Sequence, residues 1–318
     1  MKTKFAIGCL VQWYEVDIIG EYLETLEEAI NEYDGEVVVD IFLSLNQDLE
    51  KASDKDLFQT LPSRFQETIW NLEKNIKVNY NFGIKLKTIA DYRREFNDTY
   101  CEQVDVLVWG ESDMLVPKQI FTSLDQLHQS VEKNTPKYLC TFGTCKMWDG
   151  SWEPLEHVDF TDKPFIPNDY DNWWSLKYTM TKEEMNNFNK DVINLDVSRI
   201  SPHKFNGCGL VISSEVIKSG VNIPKSVFFV HEDTSFMLMT QKVLGNIPQY
   251  HFKNILLVHN RNHPKKRNYI KGEREDGTMN EKRRSNDWYV KANKMSEQNC
   301  YNMFNPKYKS FTWKDVWK

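Results

Sequence analysis

Apolar residues in the first part of the chain alternate between short unbroken runs and runs with helical spacing. Residues 5–11 form one apolar run, and residues 16–31 repeat apolar side chains every three or four positions, with glutamates on the opposite face. A second apolar run covers 37–44, after Asp34 and Gly35. Because a strand, a helix and a strand in this order form a right-handed parallel unit, we expect an α/β fold of the Rossmann type, with a mainly parallel central sheet flanked by helices.

The same patterns predict the elements that follow. Residues 46–63 are polar and are expected to leave the sheet as an excursion, and residues 149–171 form a long segment rich in Trp, Pro and Asp. Further helices are predicted at 65–75, 88–96 and 235–244 and near 213–215. Further strands are predicted at 77–82, 104–109, 138–142, 206–212, 227–230 and 254–258.

Two carboxylates follow the strand predicted at 104–109, where Gly110 interrupts the apolar run. Glu111 and Asp113 lie two positions apart, so in extended chain their side chains point to the same side. Open α/β sheets bind ligands beyond the carboxyl ends of their strands, and hard carboxylate oxygens suit Mg²⁺ or Mn²⁺. We expect these residues to hold a cation or a polar ligand, although a polar turn would leave the same pattern.

Two more polar clusters stand immediately after apolar runs. Glu232 and Asp233 open a predicted helix, where one acidic residue is explained by capping and the helix dipole, and two adjacent ones less well. His259 and His263 follow the last predicted strand. A single histidine at a strand end is more often structural than a ligand, and the second one makes the two interpretations equal.

Composition excludes several classes of protein. The net charge of −6 argues against a molecule that binds polyanions over its whole surface. Six cysteines without CxxC spacing argue against a zinc ribbon or a disulfide framework, so we expect reduced thiols and a cytoplasmic protein. The apolar run after Lys2 and Lys4 lacks a small-residue cleavage site, and no segment approaches the roughly 20 apolar residues of a membrane helix. We expect no membrane partner.

The chain changes character at Pro264. From there Lys and Arg are frequent, and Trp, Tyr and Phe recur to the end. We therefore expect one domain at 1–263. Residues 264–318 would form a basic, aromatic-rich C-terminal extension, for which a solvated charged tail is an equally good interpretation.

The order of these clusters resembles the GT-A class of glycosyltransferases. That class carries a D-x-D-type motif after a strand, a later E-D pair at the start of a helix, and a metal-binding histidine near the end of the domain. The likeness covers residues 4–263 and departs from the pattern at Glu111, where an Asp is usual, and at His231, which precedes the E-D pair. It implies a GT-A-like fold and a catalytic domain at 1–263, with a nucleotide-sugar-binding half at 1–120 and an acceptor half at 121–263. It also implies a Mn²⁺ or Mg²⁺ cofactor.

The resemblance also implies roles for individual residues. Asp113 and Glu111 would bind the metal on the donor diphosphate, with His259 or His263 completing its shell. Asp233 would accept the proton of the acceptor hydroxyl if transfer is inverting, and Glu232 would orient the acceptor. The remaining donor-binding residues would be Gln12, Tyr14, Glu15, Asp91, Arg93 and Ser112.

The segment 9–15 with 22–26 is similar to glycosyltransferases of tailed, T-even-like bacteriophages. That likeness implies a UDP-sugar donor, double-stranded DNA carrying 5-hydroxymethylcytosine as acceptor, a glycosyl or arabinosyl group, and the host cytoplasm. Three alternatives stay open: a glycosyltransferase acting on a surface glycan or lipopolysaccharide, a nucleotidyltransferase, and a non-enzymatic binding protein. The nucleotidyltransferase alternative lacks the expected glycine-rich phosphate loop, since residues 8–13 supply neither the glycines nor a basic residue.

Overall fold

A computed structural model describes residues 1–45, 55–73, 76, 78–131, 136–145, 155, 157, 180–202, 205–260 and 287–318. The strands are β1 Phe5–Gln12, β2 Val37–Ser44, β3 Val78–Gly83, β4 Val106–Trp109, β5 Met114–Leu115, β6 Leu139–Thr144, β7 Val197–Ile200, β8 Val211–Ser213 and β9 Gln249–His259. The helices are α1 Ile19–Asn31, α2 Lys55–Glu73, α3 Ile89–Tyr100, α4 Ile120–Val131, α5 Lys182–Asn189, α6 Ser214–Lys218, α7 Glu232–Leu244, α8 Asp287–Asn302 and α9 Trp313–Val316. A short 3-10 helix, Trp13–Glu15, follows β1.

The strands form one nine-stranded sheet in the order β3-β2-β1-β4-β8-β6-β9-β5, with β7 also paired to β9. Strands β1, β2, β3, β4, β6 and β9 point in one direction, and β5, β7 and β8 run against them. The prediction of an α/β fold with a mainly parallel sheet is therefore confirmed. Parallel β1 and β4 place their carboxyl ends at the same edge of the sheet, which is where the predicted polar residues follow.

Both faces of the sheet are covered, as the alternation of β1 shows. Phe5 and Ile7 pack on one side with apolar residues of α1, α2 and α4, whereas Ala6 and Leu10 pack on the other side with those of α3, α6 and α7. A strand whose two sides are both buried carries apolar residues at successive positions, which explains its unbroken apolar run. Gly8 faces Phe96 of α3, where an added Cβ atom would lie 2.5 Å from the ring, so α3 packs very close to β1.

Some predictions from the pattern need correction. Residues 55–63, predicted as part of a polar excursion, are helical and belong to α2. Residues 227–230, predicted as a strand, pair with no described strand of the sheet. Phe228 and Phe229 pack against the C-terminal helices, and Val227 packs in the core with residues of α3 and α6. The segment 149–171 lies almost entirely outside the described residues. The pattern did not predict β5, β7, α4, α5, α8 or α9, which are short or mixed in polarity.

The C-terminal helices pack on the segment that precedes α7. Phe228 stacks edge-to-face on Trp313 with 5.0 Å between ring centroids, and both belong to an apolar cluster contributed by the two parts of the chain. Ser296 donates a hydrogen bond of 2.7 Å to the carbonyl oxygen of Val230. The predicted boundaries at 120 and 264 stay predictions, and residues 264–286 lie outside the described part of the chain. None of the helices in that described part has both the length and the apolar character needed to cross a membrane.

Asn299 is the polar centre of this contact and is fully buried. Its amide nitrogen donates to the carbonyl oxygens of Ser226, at 2.8 Å, and Phe311, at 2.9 Å. Its amide oxygen accepts from the backbone nitrogen of Phe311, at 2.9 Å, and from the hydroxyl of Tyr308, at 3.1 Å. One side chain thus joins the segment before α7 to two parts of the C-terminal end.

We expect Asn299→Ala to lower the free energy of unfolding by about 1–3 kcal/mol, because it leaves buried backbone groups without hydrogen-bond partners. Urea denaturation measures the change. Asn302→Ala is the matched control, because Asn302 is partly exposed and its amide donates to Gln298 O of the same helix, and we expect a change within about 0.5 kcal/mol. Equal effects of the two substitutions would contradict the role assigned to Asn299.

Candidate active site

The candidate active site lies beyond the carboxyl end of β4. The backbone of Trp109 pairs with the loop before β8, accepting from Gly209 N at 2.8 Å and donating to Leu210 O at 2.9 Å. Gly110 then donates to the carbonyl oxygen of Gly8 in β1, and a Cβ at this position would lie 2.5 Å from the hydroxyl of Tyr22. Only glycine fits this close approach, so the break in the apolar run fixes where the chain leaves the sheet.

A tight turn and a short strand then bring the E-x-D motif to the end of β9. Met114 N donates to Glu111 O at 3.0 Å, and β5 pairs with β9 so that Met114 stands opposite His259. Asn260 N donates to Asp113 O at 2.8 Å. This antiparallel register places both carboxylates beside a histidine more than 140 positions later in the sequence. The two residues of β5 were not predicted, yet they assemble the site.

The side chains of Glu111, Asp113 and His259 converge. His259 Nε2 lies 2.8 Å from Glu111 Oε2 and 3.5 Å from Asp113 Oδ1, and the Asp113 side chain is fully buried. The sulfur of Cys208 joins them, because one ligand atom each from Glu111, Cys208 and His259 lie within 4.8 Å of one another. Sequence reasoning missed Cys208, since no spacing in the chain links it to the other three residues.

Electrostatics show that this cluster favours a positive charge. Burial raises the pKa of Glu111, but His259 and Arg93 lower it by more, so this pKa falls well below its usual range. Burial lowers the pKa of His259, but Glu111 and Asp113 raise it by more, so the net shift is upward. A metal ion bound here would supply the positive charge that these carboxylates favour.

Arg93 connects this cluster to the acid pair of α7. Its guanidinium donates to Glu111 Oε1 at 2.8 Å and forms an ion pair with Glu232, and it also donates to Gly207 O at 3.0 Å. It is 1% exposed and lies over the Trp109 ring, 4.7 Å from the centroid. A Cβ at Gly207 would overlap the guanidinium, so glycine is required there. Arg93 therefore makes the E-x-D motif and the E-D pair parts of one site.

The two acids of the pair have different surroundings. Burial raises the pKa of Glu232 to about 7, with a further increase from Asp233 and an opposing decrease from Arg93. Asp233 is partly exposed and accepts hydrogen bonds from Gly207 N at 3.2 Å and Thr234 N at 2.6 Å. A buried acid beside a partly exposed, backbone-oriented carboxylate is an arrangement that suits proton transfer from a bound hydroxyl.

His231, directly before the pair, has a left-handed backbone with φ of 69° and ψ of 24°. This conformation is unusual for a residue with a Cβ and occurs at functional sites held by surrounding structure. Here the ring nitrogen Nε2 lies 3.3 Å from Asn293 Oδ1 of α8. Helix α8 thus contacts His231, the N-cap residue of α7.

Asp91, predicted to bind the donor together with Arg93, has its contacts elsewhere. Asp91 bonds to Thr88 and forms an ion pair with Arg94 at 2.8 Å, so the structure does not bring it to Arg93. Arg94 itself binds carbonyl oxygens of the segment 223–227. Adjacent arginines thus serve different purposes: Arg93 lies inside the site, and its neighbour anchors the chain before α7.

Gln12, Tyr14 and Glu15 lie at the end of β1, at the same edge of the sheet as the E-x-D motif. Glu15 is buried, and its carboxylate accepts from Gln12 N at 2.8 Å, which accounts for it as a cap of the short 3-10 helix. Tyr14 is half-buried and packs edge-to-face on Trp13. Ser112 is buried within the E-x-D turn. His263 lies outside the described residues.

No protein-family model and no curated protein sequence matches the chain. Among solved structures, it is similar to S. aureus TarS 1-349, with 10% sequence identity, a TM-score of 0.45, and coverage of 80% of this chain and 60% of that one. It is also similar to the mannosyltransferase PcManGT from Pyrobaculum calidifontis in complex with GDP-Man and Mn²⁺, with 11% identity, a TM-score of 0.48, and coverage of 98% and 66%.

A third similar structure is a UDP-glucose pyrophosphorylase complexed with UDP-glucose, with 13% identity, a TM-score of 0.37, and coverage of 79% of this chain and 91% of that one. The chain spans less than two thirds of the length of TarS 1-349. At these identities the likenesses concern the fold alone. The chemistry has to be argued from the side chains of this chain.

Proposed function

We propose that the chain is a metal-dependent glycosyltransferase that moves a sugar from a nucleoside-diphosphate sugar to a hydroxyl acceptor. The observation that carries this proposal is the double contact of Arg93, which holds Glu111 and Glu232 in one buried site. A cation-binding cluster for a diphosphate and an acid pair for an acceptor hydroxyl are the two halves that such a transfer needs. The family resemblance adds UDP as the nucleotide.

The residues present fit a divalent cation. The 2.8 Å between Glu111 Oε2 and His259 Nε2 is close to the separation of about 3 Å that neighbouring ligands have in an octahedral shell with bonds of about 2.1 Å. Asp113 would be the third ligand, and Mn²⁺ and Mg²⁺ are the ions we propose. When bound, such an ion stabilises negative charge on the departing diphosphate. His263 is a further proposed ligand, from the resemblance alone.

The acid pair would serve the acceptor. We assign Asp233 as the general base, because two backbone N–H groups orient its carboxylate and it is partly exposed. Glu232 would orient the acceptor, and its ion pair with Arg93 would keep it in position. Inverting transfer, in which one base removes the proton from the attacking hydroxyl, follows from this assignment.

The donor would lie along the edge of the sheet between β1 and β4. Gln12, Tyr14 and Glu15 lie there at the end of β1, and we propose that they contact the nucleoside. Ser112 would contribute from the E-x-D turn. For Asp91, only the family resemblance supports a donor-binding role. Its contacts with Thr88 and Arg94 are explained by its position in the first turn of α3.

We expect Asp113→Asn to abolish metal-dependent nucleotide binding, because an amide binds a hard cation far more weakly than a carboxylate. The measurement is the shift in melting temperature caused by UDP with Mn²⁺, repeated with other nucleoside diphosphates. Asp105→Asn is the matched control, because Asp105 is exposed at the opposite end of the same strand and its carboxylate accepts a hydrogen bond from Lys4 N. An unchanged shift in Asp113→Asn would contradict the proposed metal site.

We expect Asp233→Asn to reduce turnover by about 10²–10⁴, the usual contribution of one general base, while donor affinity stays nearly constant. Turnover and donor affinity are measured together in sugar-transfer assays. Glu215→Gln is the control, because Glu215 is also an acid in the first turn of a helix, and its described ion pair is with Lys218 of that helix. If Asp233→Asn weakened only donor binding, the residue would belong to the donor site.

For the acceptor, we propose double-stranded DNA carrying 5-hydroxymethylcytosine, transferred to this chain from the likeness to phage enzymes. The basic residues after Pro264 support it, since phosphates bind Lys and Arg. Exposed aromatic side chains at the described C-terminal end, Tyr289, Tyr301 and Trp317, offer surfaces on which a base can stack. A neutral surface glycan would not need the basic residues, although its sugars could also stack on the aromatic rings.

If DNA is the acceptor, replacing the basic run 265–267 with alanines should weaken acceptor binding and flatten its dependence on salt, because fewer condensed counterions are released. Binding of hydroxymethylated duplex DNA is measured over a series of salt concentrations. The charge-matched control replaces three exposed lysines elsewhere, Lys2, Lys190 and Lys225, and should leave the slope nearly unchanged. A loss of donor affinity alone, or no salt dependence in the wild type, would contradict the DNA acceptor.

A further inference from the structure

We propose that Cys208 is a further ligand of the metal site, so that the ion is held through sulfur, nitrogen and oxygen together. The inference rests on the metal site of the proposed function and adds to it which ions the site prefers. A thiolate is a soft ligand that Mg²⁺ does not favour and that Zn²⁺ and Co²⁺ accept readily. The site would therefore bind Zn²⁺ and Co²⁺ more tightly than Mn²⁺, and Mg²⁺ most weakly.

The distances support a shared ion. The sulfur of Cys208 lies within 4.8 Å of the ligand atoms of both Glu111 and His259, and Asp113 Oδ1 is 3.5 Å from His259 Nε2. Sulfur binds Zn²⁺ at about 2.3 Å and nitrogen at about 2.0–2.1 Å, so two such ligands stand less than about 4.4 Å apart. Small rotations of these side chains would complete the shell.

The backbone holds Cys208 in this place. Its N–H donates to Asn206 Oδ1 at 2.8 Å, and Gly209 N donates to Trp109 O at 2.8 Å. Gly209 has a φ of 71°, a conformation that favours glycine, and a Cβ there would overlap Leu257. Gly207 is packed against Arg93 on the other side. A thiol with a glycine on each side, both tightly packed, has little freedom to leave the cluster.

The orientation of His259 is the independent observation that points to a ligand. The residue is 8% exposed, and its Nε2 makes no hydrogen bond with acceptable geometry to any described group, although Glu111 Oε2 lies only 2.8 Å away. A buried ring nitrogen without such a bond costs free energy unless something else occupies its lone pair or N–H direction. An ion between the imidazole, the carboxylates and the sulfur would meet that need.

A buried cysteine outside this cluster supplies the control. Cys140 lies in β6, and its sulfur contacts the carbonyl oxygen of Thr141 at 3.6 Å.

When a metal ion binds Cys208, the thiol would lose its proton to solvent as the sulfur–metal bond forms. No electron is transferred, and one proton is released for each metal ion that the sulfur binds.

Cobalt(II) is the probe that tests this proposal without any donor or activity. Titration of the full chain with Co²⁺ should produce the intense near-ultraviolet absorption of a sulfur-to-cobalt charge transfer. Cys208→Ser should lose that band and bind Co²⁺ more weakly, by at least the roughly 10–100-fold that even an outer-shell partner contributes. Cys140→Ser should keep both the band and the affinity.

A second measurement covers the case in which Cys208→Ser does not fold. X-ray absorption of the zinc-loaded wild type should show a sulfur neighbour at about 2.3 Å, and a shell of nitrogen and oxygen alone at about 2.0–2.1 Å would overturn the proposal. The absence of Co²⁺ uptake, or a charge-transfer band that persists in Cys208→Ser, would overturn it too.

The outcome can be separated from that of the proposed function. Nucleotide binding with Mn²⁺ in a protein that shows no sulfur–metal bond would remove only the role of Cys208. A sulfur–cobalt band in a protein that binds no nucleoside diphosphate would keep that role and remove the glycosyltransferase.

Discussion

The structure of the site depends on one buried guanidinium. Arg93 is held by two carboxylates, Glu111 after β4 and Glu232 at the start of α7, and it rests on Trp109. Removing one partner of a buried ion pair typically costs about 3–5 kcal/mol, because the remaining charge has lost its compensation. The position of Arg93 in α3 therefore fixes two polar segments that are more than 100 residues apart in the sequence.

This constraint explains much of the local geometry. The loop before β8 approaches the guanidinium so closely that only glycine fits at position 207, and the sulfur of the next residue lies close to Glu111 and His259. Asp233 is oriented by the same loop. The negative charge of the carboxylates is therefore compensated on one side by Arg93 and on the other by His259 or a bound ion.

Much of the fold could be predicted from the sequence, because unbroken apolar runs and helical periodicity directly reflect burial on two sides or one. The site could be predicted where polar residues follow such runs, as at Glu111, Asp113 and His259. Cys208 could not, since its place depends on the antiparallel insertion of β8 between β4 and β6. The apolar run 227–230 was mistaken for a strand, because burial against helices and burial in a sheet leave the same local pattern.

The packing of α8 and α9 on the segment before α7 also has a consequence for the order in which the protein can be completed during translation. The sheet can form once β9 has left the ribosome, since every strand of the described residues lies at or before residue 259. The backbone before the acid pair, however, is held by Ser296, Asn299 and Trp313. A nascent chain that ends before these residues would have its sheet in place while the start of α7 still lacked its support. The start of α7, with its acid pair, is therefore expected to reach its final position among the last events of synthesis.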